Sequence, residues 1–374
     1  MSKIGGMQRV GIDLLHQLEA REDVRTTKII LRSARENDIA GFIPFLFRAW
    51  KEARAMMLRG EVDVVLFSAM PSAALASVLA GASAKSSVPL VAISHGHDVI
   101  ADNAAYQWLV RKVFARLDAM LPVSHSTGQQ CVARGLPVER LFVTPNGIDP
   151  DRFGTSFPGE MFSRAARRQV LHEQFPQLAN AIGDDGLLLC SVGRQVRRKG
   201  HEWFIRNVMP QIRSNVHLVL GGKGPETEVI RRAVTELGLA DRVHIPGLIA
   251  EEKLAPLYTG GDLFIMPNIP VDGDMEGFGV VMLEAGLCGM PSIASHLEGI
   301  HDVIIEGVSG FNVAPLDAEG FASIINSYAV SPNRLDALSS TARSHTLETF
   351  SWPKVASSIV ATLETVISRK SARA

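Results

Sequence analysis

The sequence predicts an α/β protein built from two Rossmann-like, doubly wound domains, on three observations. The chain runs to 374 residues, more than one hydrophobic core usually fills. Short apolar runs alternate with longer helix-patterned segments in both halves, as they do in parallel sheets covered by helices. A turn-rich run, Pro145-Asn146-Gly147-Ile148-Asp149-Pro150, separates the two sets.

In the first half the runs at 27–31, 62–67, 90–94, 119–123 and 141–144 read as strands; in the second those at 187–192, 217–220, 243–245, 263–266 and 292–294 do. The expected domains are residues 1–149 and 150–350, with a hinge continuing through Gly154, Pro158 and Gly159. A final amphipathic helix over 351–374 opens on Ser351-Trp352-Pro353. A doubly wound domain usually opens on a strand before its first glycine loop, yet Gly5-Gly6 stands almost at the start. The first strand is therefore expected to be missing, through a truncated start or a reduced sheet.

Composition narrows the function. The 38 Lys plus Arg against 39 Asp plus Glu leave a net charge of -1, which supplies no field for gathering nucleic acid. Cys131, Cys190 and Cys288 are far apart and form no CxxC pair, which speaks for a reducing compartment and against structural zinc. Residues 1–7 show no basic region followed by an apolar run, so no export signal is recognisable and the expected location is cytoplasmic. The uncharged stretch 64–84 is interrupted by Pro71 and is then rich in Ala, Ser and Gly, which suits a helix on a sheet better than a membrane span.

The most informative segment runs from Asp274 through Glu276, Gly277, Phe278, Gly279 and Val280 to Glu284 and Pro291. The two glycines permit a tight backbone approach after a strand, and the helix expected from Val280 offers free amide groups to an anion. Glu276 precedes that helix and Glu284 lies more than a turn inside it, so the carboxylates can reach opposite ends of one ligand. Upstream, Gly193-Arg194-Gln195-Val196-Arg197-Arg198-Lys199-Gly200 places four cations on a strand-end loop. A diphosphate leaving group needs its developing charge neutralised, and Arg194 and Lys199, each beside a glycine, are the candidates. Arg197 and Arg198 read as a solvated basic face. The Gly221-Gly222-Lys223-Gly224 loop lacks GxGxxG, and no P-loop occurs. The run ending Gly247-Leu248 offers backbone to a nucleobase.

Together these segments resemble glycosyltransferase family 4, retaining enzymes of the GT-B fold, in which two Rossmann-like doubly wound domains face an interdomain cleft. The resemblance covers nearly the whole chain from Gly5-Gly6 onward, and its E-x7-E motif is Glu276 to Glu284. It implies that Glu284 binds the donor ribose, that Glu276 and the amides near Phe278 and Gly279 hold the transferred sugar, and that Arg194 and Lys199 grip the diphosphate. It further implies that the Gly5-Gly6 loop closes over the donor and that the last helix crosses back onto the N-terminal domain. Catalysis would rest on His95, Glu276, Arg194 and Lys199, with front-face attack and no metal or other cofactor. The nucleotide diphosphate sugar is a co-substrate, and the acceptor a glycan or a lipid-linked molecule.

His95, in Ser94-His95-Gly96-His97-Asp98, matches the family's cleft histidine; a structural hydrogen bond and an H-x-H metal pair are its alternatives. The aromatic, basic segment 42–59 reads as a domain helix with a buried aromatic side, or as a peripheral contact with the inner face of the membrane. Rival functions are a nucleotide-sugar epimerase on the same fold, a dehydrogenase, and a non-catalytic nucleotide-sugar-binding protein. The first would lack the glutamate spacing, the second needs an absent glycine fingerprint, and the third would neither transfer sugar nor hydrolyse donor.

Overall fold

The computed structural model describes residues 6–30, 39–153 and 163–373, without the side chains of 39–42. Two compact units form: Met1–Gly147 with Trp352–Ala374, and Ile148–Ser351.

In the first unit α1 (Gly6–Glu19) and α2 (Ile39–Arg59) precede β1 (Val65–Phe67). Helices α3 (Met70–Ala73) and α4 (Ala76–Ser86) lead to β2 (Leu90–Ser94), α5 (His97–Ile100) and α6 (Ala104–Phe114) to β3 (Ala119–Pro122), and α7 (His125–Ala133) follows. The strands pair in the order β1-β2-β3, all parallel, and each parallel step requires a crossover connection. Strands β2 and β3 are buried along their whole length, which is why their sequences read as unbroken apolar runs. Small Ala73, Ala76 and Ala82 let α3 and α4 into this core. Among the described residues no helix is long and apolar enough to cross a membrane.

Two expected strands do not form here. Residues 27–30 carry no strand, and residue 31 lies outside the described residues. Ile29 does pack on the core, but the Ile30 carbonyl accepts from Arg48 Nη2 at 3.2 Å rather than from a ladder. Of 141–144, only Leu141 bridges Met120. The partner strand ends in Pro122, which has no N–H to return. The expected strand 62–67 forms only at its end, as β1.

In the second unit α8 (Arg164–Gln174) and α9 (Pro176–Ile182) precede β4 (Leu187–Val192). There follow α10 (His201–Asn207), β5 (Val216–Gly221), α11 (Thr227–Glu236), β6 (Val243–Gly247), α12 (Glu251–Gly260), β7 (Leu263–Met266), α13 (Val280–Leu287), β8 (Ser292–Ser295), β9 (Gly310–Val313), α14 (Ala318–Val330) and α15 (Leu335–Phe350). The sheet is parallel throughout, in the order β6-β5-β4-β7-β8-β9. Winding therefore runs outward from β4 to one side and then from β7 to the other. The reversal leaves a crevice beyond the carboxyl ends of β4 and β7, where ligands of open α/β sheets bind. Strand β9 was not expected: Gly-Phe-Asn-Val is too short and mixed to show a period, and Gly310 is needed because a Cβ there would lie 2.0 Å from the Ser292 carbonyl oxygen.

The last helix, α16 (Trp352–Ser371), belongs to the first unit and packs on α1. Val10, Leu14 and Leu18 of α1 and Val355, Ile359 and Leu363 of α16 form their buried stripes. A Cβ at Gly147 would stand 2.4 Å from the Trp352 ring, so the Asn-Gly step serves this packing as well as the turn.

Candidate functional site

The candidate site of the second unit is built on loops at the carboxyl ends of its strands. After β4 the chain makes a 3-10 turn over Arg197–Lys199. It then passes through Gly200 at φ 65°, where a Cβ would meet the Pro267 carbonyl oxygen at 1.9 Å. Only glycine lets the β4 loop come so close to the loop after β7. Behind the turn, His201 Nε2 lies 3.0 Å from Ser191 Oγ. Burial, then the Lys199 charge, push this imidazole down to about 3, so it anchors the turn as a neutral group.

The turn aims two cations at the loop after β7. Lys199 Nζ lies 2.7 Å from Glu276 Oε2, and Arg198 Nε 3.3 Å from the same oxygen. Arg198 Nη1 is also 3.3 Å from Asp274 Oδ2. Arg198 is thus part of the cluster and not a solvated side chain; a 3-10 turn spaces successive side chains a third of a turn apart, leaving Arg197 outside. Burial pushes the Glu276 carboxyl up, but Lys199 and Arg198 outweigh it and hold the group below its ordinary range. Arg194 is exposed and makes no side-chain ion pair among the described residues.

The backbone of Glu276 is clamped by the loop after β8. Its N–H donates to Glu298 Oε2 at 2.5 Å, and its carbonyl accepts from Gly299 N–H at 3.2 Å. Glu298 holds φ 54°, a conformation that is strained for a side-chain-bearing residue. Burial pushes its carboxyl up. Beyond Gly277, Phe278 is buried against Phe350, and Gly279 at φ 85° caps α13, which begins at Val280. The opening turn of such a helix leaves amides without intrahelical partners, facing an anion. Glu284 lies one turn further in, buried, with Oε1 2.7 Å from Arg152 Nη2 and Oε2 accepting from Tyr258 OH at 3.4 Å.

The glycine loops form a floor. Gly193 N–H donates to the Gly221 carbonyl at 2.9 Å and Gly222 N–H to that of Gly247 at 2.6 Å. A Cβ at Gly222 would sit 1.8 Å from the Gly193 carbonyl oxygen, so the ends of β4, β5 and β6 are laced together backbone to backbone. Leu248 follows with 66% of its surface exposed.

In the first unit His95 is buried at the end of β2. Its Nε2 lies 2.9 Å from the Ser68 carbonyl oxygen, an acceptor only, which places the proton on Nε2. Its backbone N–H donates to Asp98 Oδ1 at 2.7 Å while Met70 N–H donates to Oδ2, tying the ends of β1 and β2 together. Gly6 opens α1, exposed; Gly5 lies outside the described residues, as do Gly154, Pro158 and Gly159. Among the described residues no three His, Cys, Asp or Glu side chains are grouped to hold a metal ion.

Glu276, Lys199 and the start of α13 are therefore brought together, with Glu284 further along that helix. Sequence reasoning missed Arg152, Asn268 and Glu298. Asn268, 1% exposed after β7, makes no well-formed side-chain hydrogen bond, yet lies close enough to Glu276 to favour its charged form.

Two Rossmann-like parallel-sheet units of this kind define the GT-B class. Residues 4–152 match the family described as Glycosyltransferase Family 4, and residues 186–329 that described as Glycosyl transferases group 1. Over 313 residues the chain is 28% identical to the GDP-mannose-dependent alpha-(1-6)-phosphatidylinositol monomannoside mannosyltransferase of Mycolicibacterium smegmatis, spanning 80% of this chain and 76% of that one. Anabaena HepE in complex with UDP and glucose shares the fold with a TM-score of 0.70 at 19% identity, over 98% of this chain and 97% of that one. HepE in complex with UDP-glucose gives 0.67 at 22%, over 88% and 84%. The chain belongs to glycosyltransferase family 4 and is a glycosyltransferase of GT-B type.

Proposed function

We propose that the protein transfers a sugar from a nucleotide diphosphate donor with retention of anomeric configuration and without a metal ion, at the carboxyl ends of β4 and β7. The observation that carries this reading is the Lys199–Glu276 pair at 2.7 Å, set beside the start of α13. A diphosphate arriving at the amides of that helix draws Lys199 and the exposed Arg194 to its oxygens, so charge developing on the leaving group meets fixed cations. Glu276, its backbone clamped by Glu298 and Gly299, then accepts hydrogen bonds from the sugar hydroxyls, and Glu284 those of the ribose. His95 contacts the transferred sugar. Retention follows from attack on the face the diphosphate leaves, whose oxygens take the acceptor proton.

The acceptor is a glycan or a lipid-linked molecule met at the inner face of the membrane. Two observations support the lipid-linked form. The M. smegmatis relative is named for a phosphatidylinositol monomannoside, and α2 leaves Ile43 and Phe47 about two-thirds exposed beside exposed Arg48, Lys51 and Arg54. The test is incubation with UDP-, GDP- and ADP-sugars with and without chelator, with anionic lipid vesicles as a separate arm, reading the anomeric protons of products by NMR. One nucleotide class turned over with the donor's anomeric configuration supports the reading. Inverted product, or turnover abolished by chelator, contradicts it.

A further inference from the structure

We propose that Arg152 is a positioning residue: it fixes the Glu284 carboxylate as the acceptor for the paired hydroxyls of the nucleotide ribose, a role that rests on the reading of Glu284 given above. Arg152 sits on a turn closed by its own N–H to the Asp149 carbonyl at 3.1 Å. Its Nη2 stands 2.7 Å from Glu284 Oε1 and 3.1 Å from Glu251 Oε1, so α12 and α13 each supply a carboxylate to one guanidinium. The Phe153 ring centroid lies 5.2 Å from that guanidinium, and the ring is tilted against Tyr258 at 6.2 Å. Tyr258 in turn donates to the other oxygen of Glu284.

Two donors on two different oxygens fix the rotation of the carboxylate plane. Each oxygen of a carboxylate accepts more than one hydrogen bond, and a vicinal diol needs two acceptors at a set spacing. The Arg152 and Glu284 side chains are only 13% and 10% exposed, and a carboxylate so nearly dry stays charged only beside a fixed counter-charge. The planar fork of arginine provides both charge and orientation, where lysine provides charge alone.

The test titrates UDP, GDP and ADP calorimetrically into the full chain and its Arg152→Ala, Arg152→Lys and Glu284→Ala variants. The 2′,3′-dideoxy form of whichever diphosphate binds is compared at about pH 8 and about pH 6. Wild type is expected to prefer the ribonucleotide roughly tenfold or more at both pH values, and Glu284→Ala to lose that preference at both. Arg152→Ala is expected to keep part of it at the higher pH and lose it at the lower, as a proton enters the carboxyl that has lost its guanidinium partner. Arg152→Lys should show a weakened preference that does not change with pH. A wild-type preference in Arg152→Ala at both pH values overturns the proposal; if that variant does not fold, an undiminished preference in Arg152→Lys overturns it. Persistence of the preference in Glu284→Ala overturns the assignment of Glu284 itself, and absence of all binding to folded wild type overturns both.

Discussion

The second unit carries a charge cluster at each end of β4 and β7, and the two are built differently. At the amino ends Asp262 Oδ2 accepts from Arg168 Nη2 at 2.6 Å and from the Leu188 N–H at 2.7 Å. Arg164 and Arg168 both donate to the Gly186 carbonyl. Charge is spent there on one buried ion pair and on backbone groups, closing the edge where β4 and β7 begin. At the carboxyl ends Lys199 and Arg198 meet the carboxylates of Glu276 and Asp274, while Asn268 makes no well-formed side-chain bond and Arg194 stands exposed. Side-chain pairs within reach of solvent can exchange partners when an anion arrives; the Arg168–Asp262 pair, its side chains 8% and 2% exposed, is out of an anion's reach. The same residue types hold the sheet at one end and leave a site at the other.

That contrast is broken or sharpened by substitution. Lys199→Ala is expected to lower kcat/KM for transfer by on the order of a hundredfold to a thousandfold, with less loss of stability than any change at Asp262, because Glu276 keeps Arg198. Asp262→Ala should cost about 3–5 kcal/mol by urea unfolding while the folded fraction keeps its nucleotide affinity. Equal stability losses at the two ends would erase the distinction. The smallest effect concerns His201, whose imidazole is lowered from 6.5 to about 3 by burial. The unfolded chain takes up that proton below its ordinary value and the folded chain does not, so stability falls as pH drops from about 6.5 towards 3. Between about pH 7 and pH 5 the wild type should lose about 2 kcal/mol more than His201→Gln, measured from urea midpoints; parallel losses would show that His201 does not carry this dependence.

Legibility in the sequence followed chain distance. Glu276, Gly277, Gly279 and Glu284 stand within one short segment, and Lys199 beside its glycine, so strand–loop–helix logic found them. The parallel sheets were legible because β2, β3, β5 and β7 are buried throughout. Arg152 was not, since its partners lie 99 and more residues away and nothing local marks it. The Arg168–Asp262 pair, 94 residues apart, was hidden for the same reason, whereas Glu298, 22 residues past Glu276, stands on a loop that no motif marks. Arg198 was misread because adjacent cations look alike until a 3-10 turn separates their directions. Residues 141–144 looked like a strand on their own account; the obstacle was Pro122 on the neighbouring one.

The central claim is that the carboxyl ends of β4 and β7 hold a nucleotide diphosphate through Lys199 and the start of α13. Calorimetric titration of UDP-, GDP- and ADP-sugars into the wild type, Lys199→Ala and Asp262→Ala, all in chelator, tests it most directly. One nucleotide class should bind the wild type and the folded fraction of Asp262→Ala alike and lose most of its affinity in Lys199→Ala. Equal affinity in wild type and Lys199→Ala, or silence from folded wild type across the panel, would contradict it.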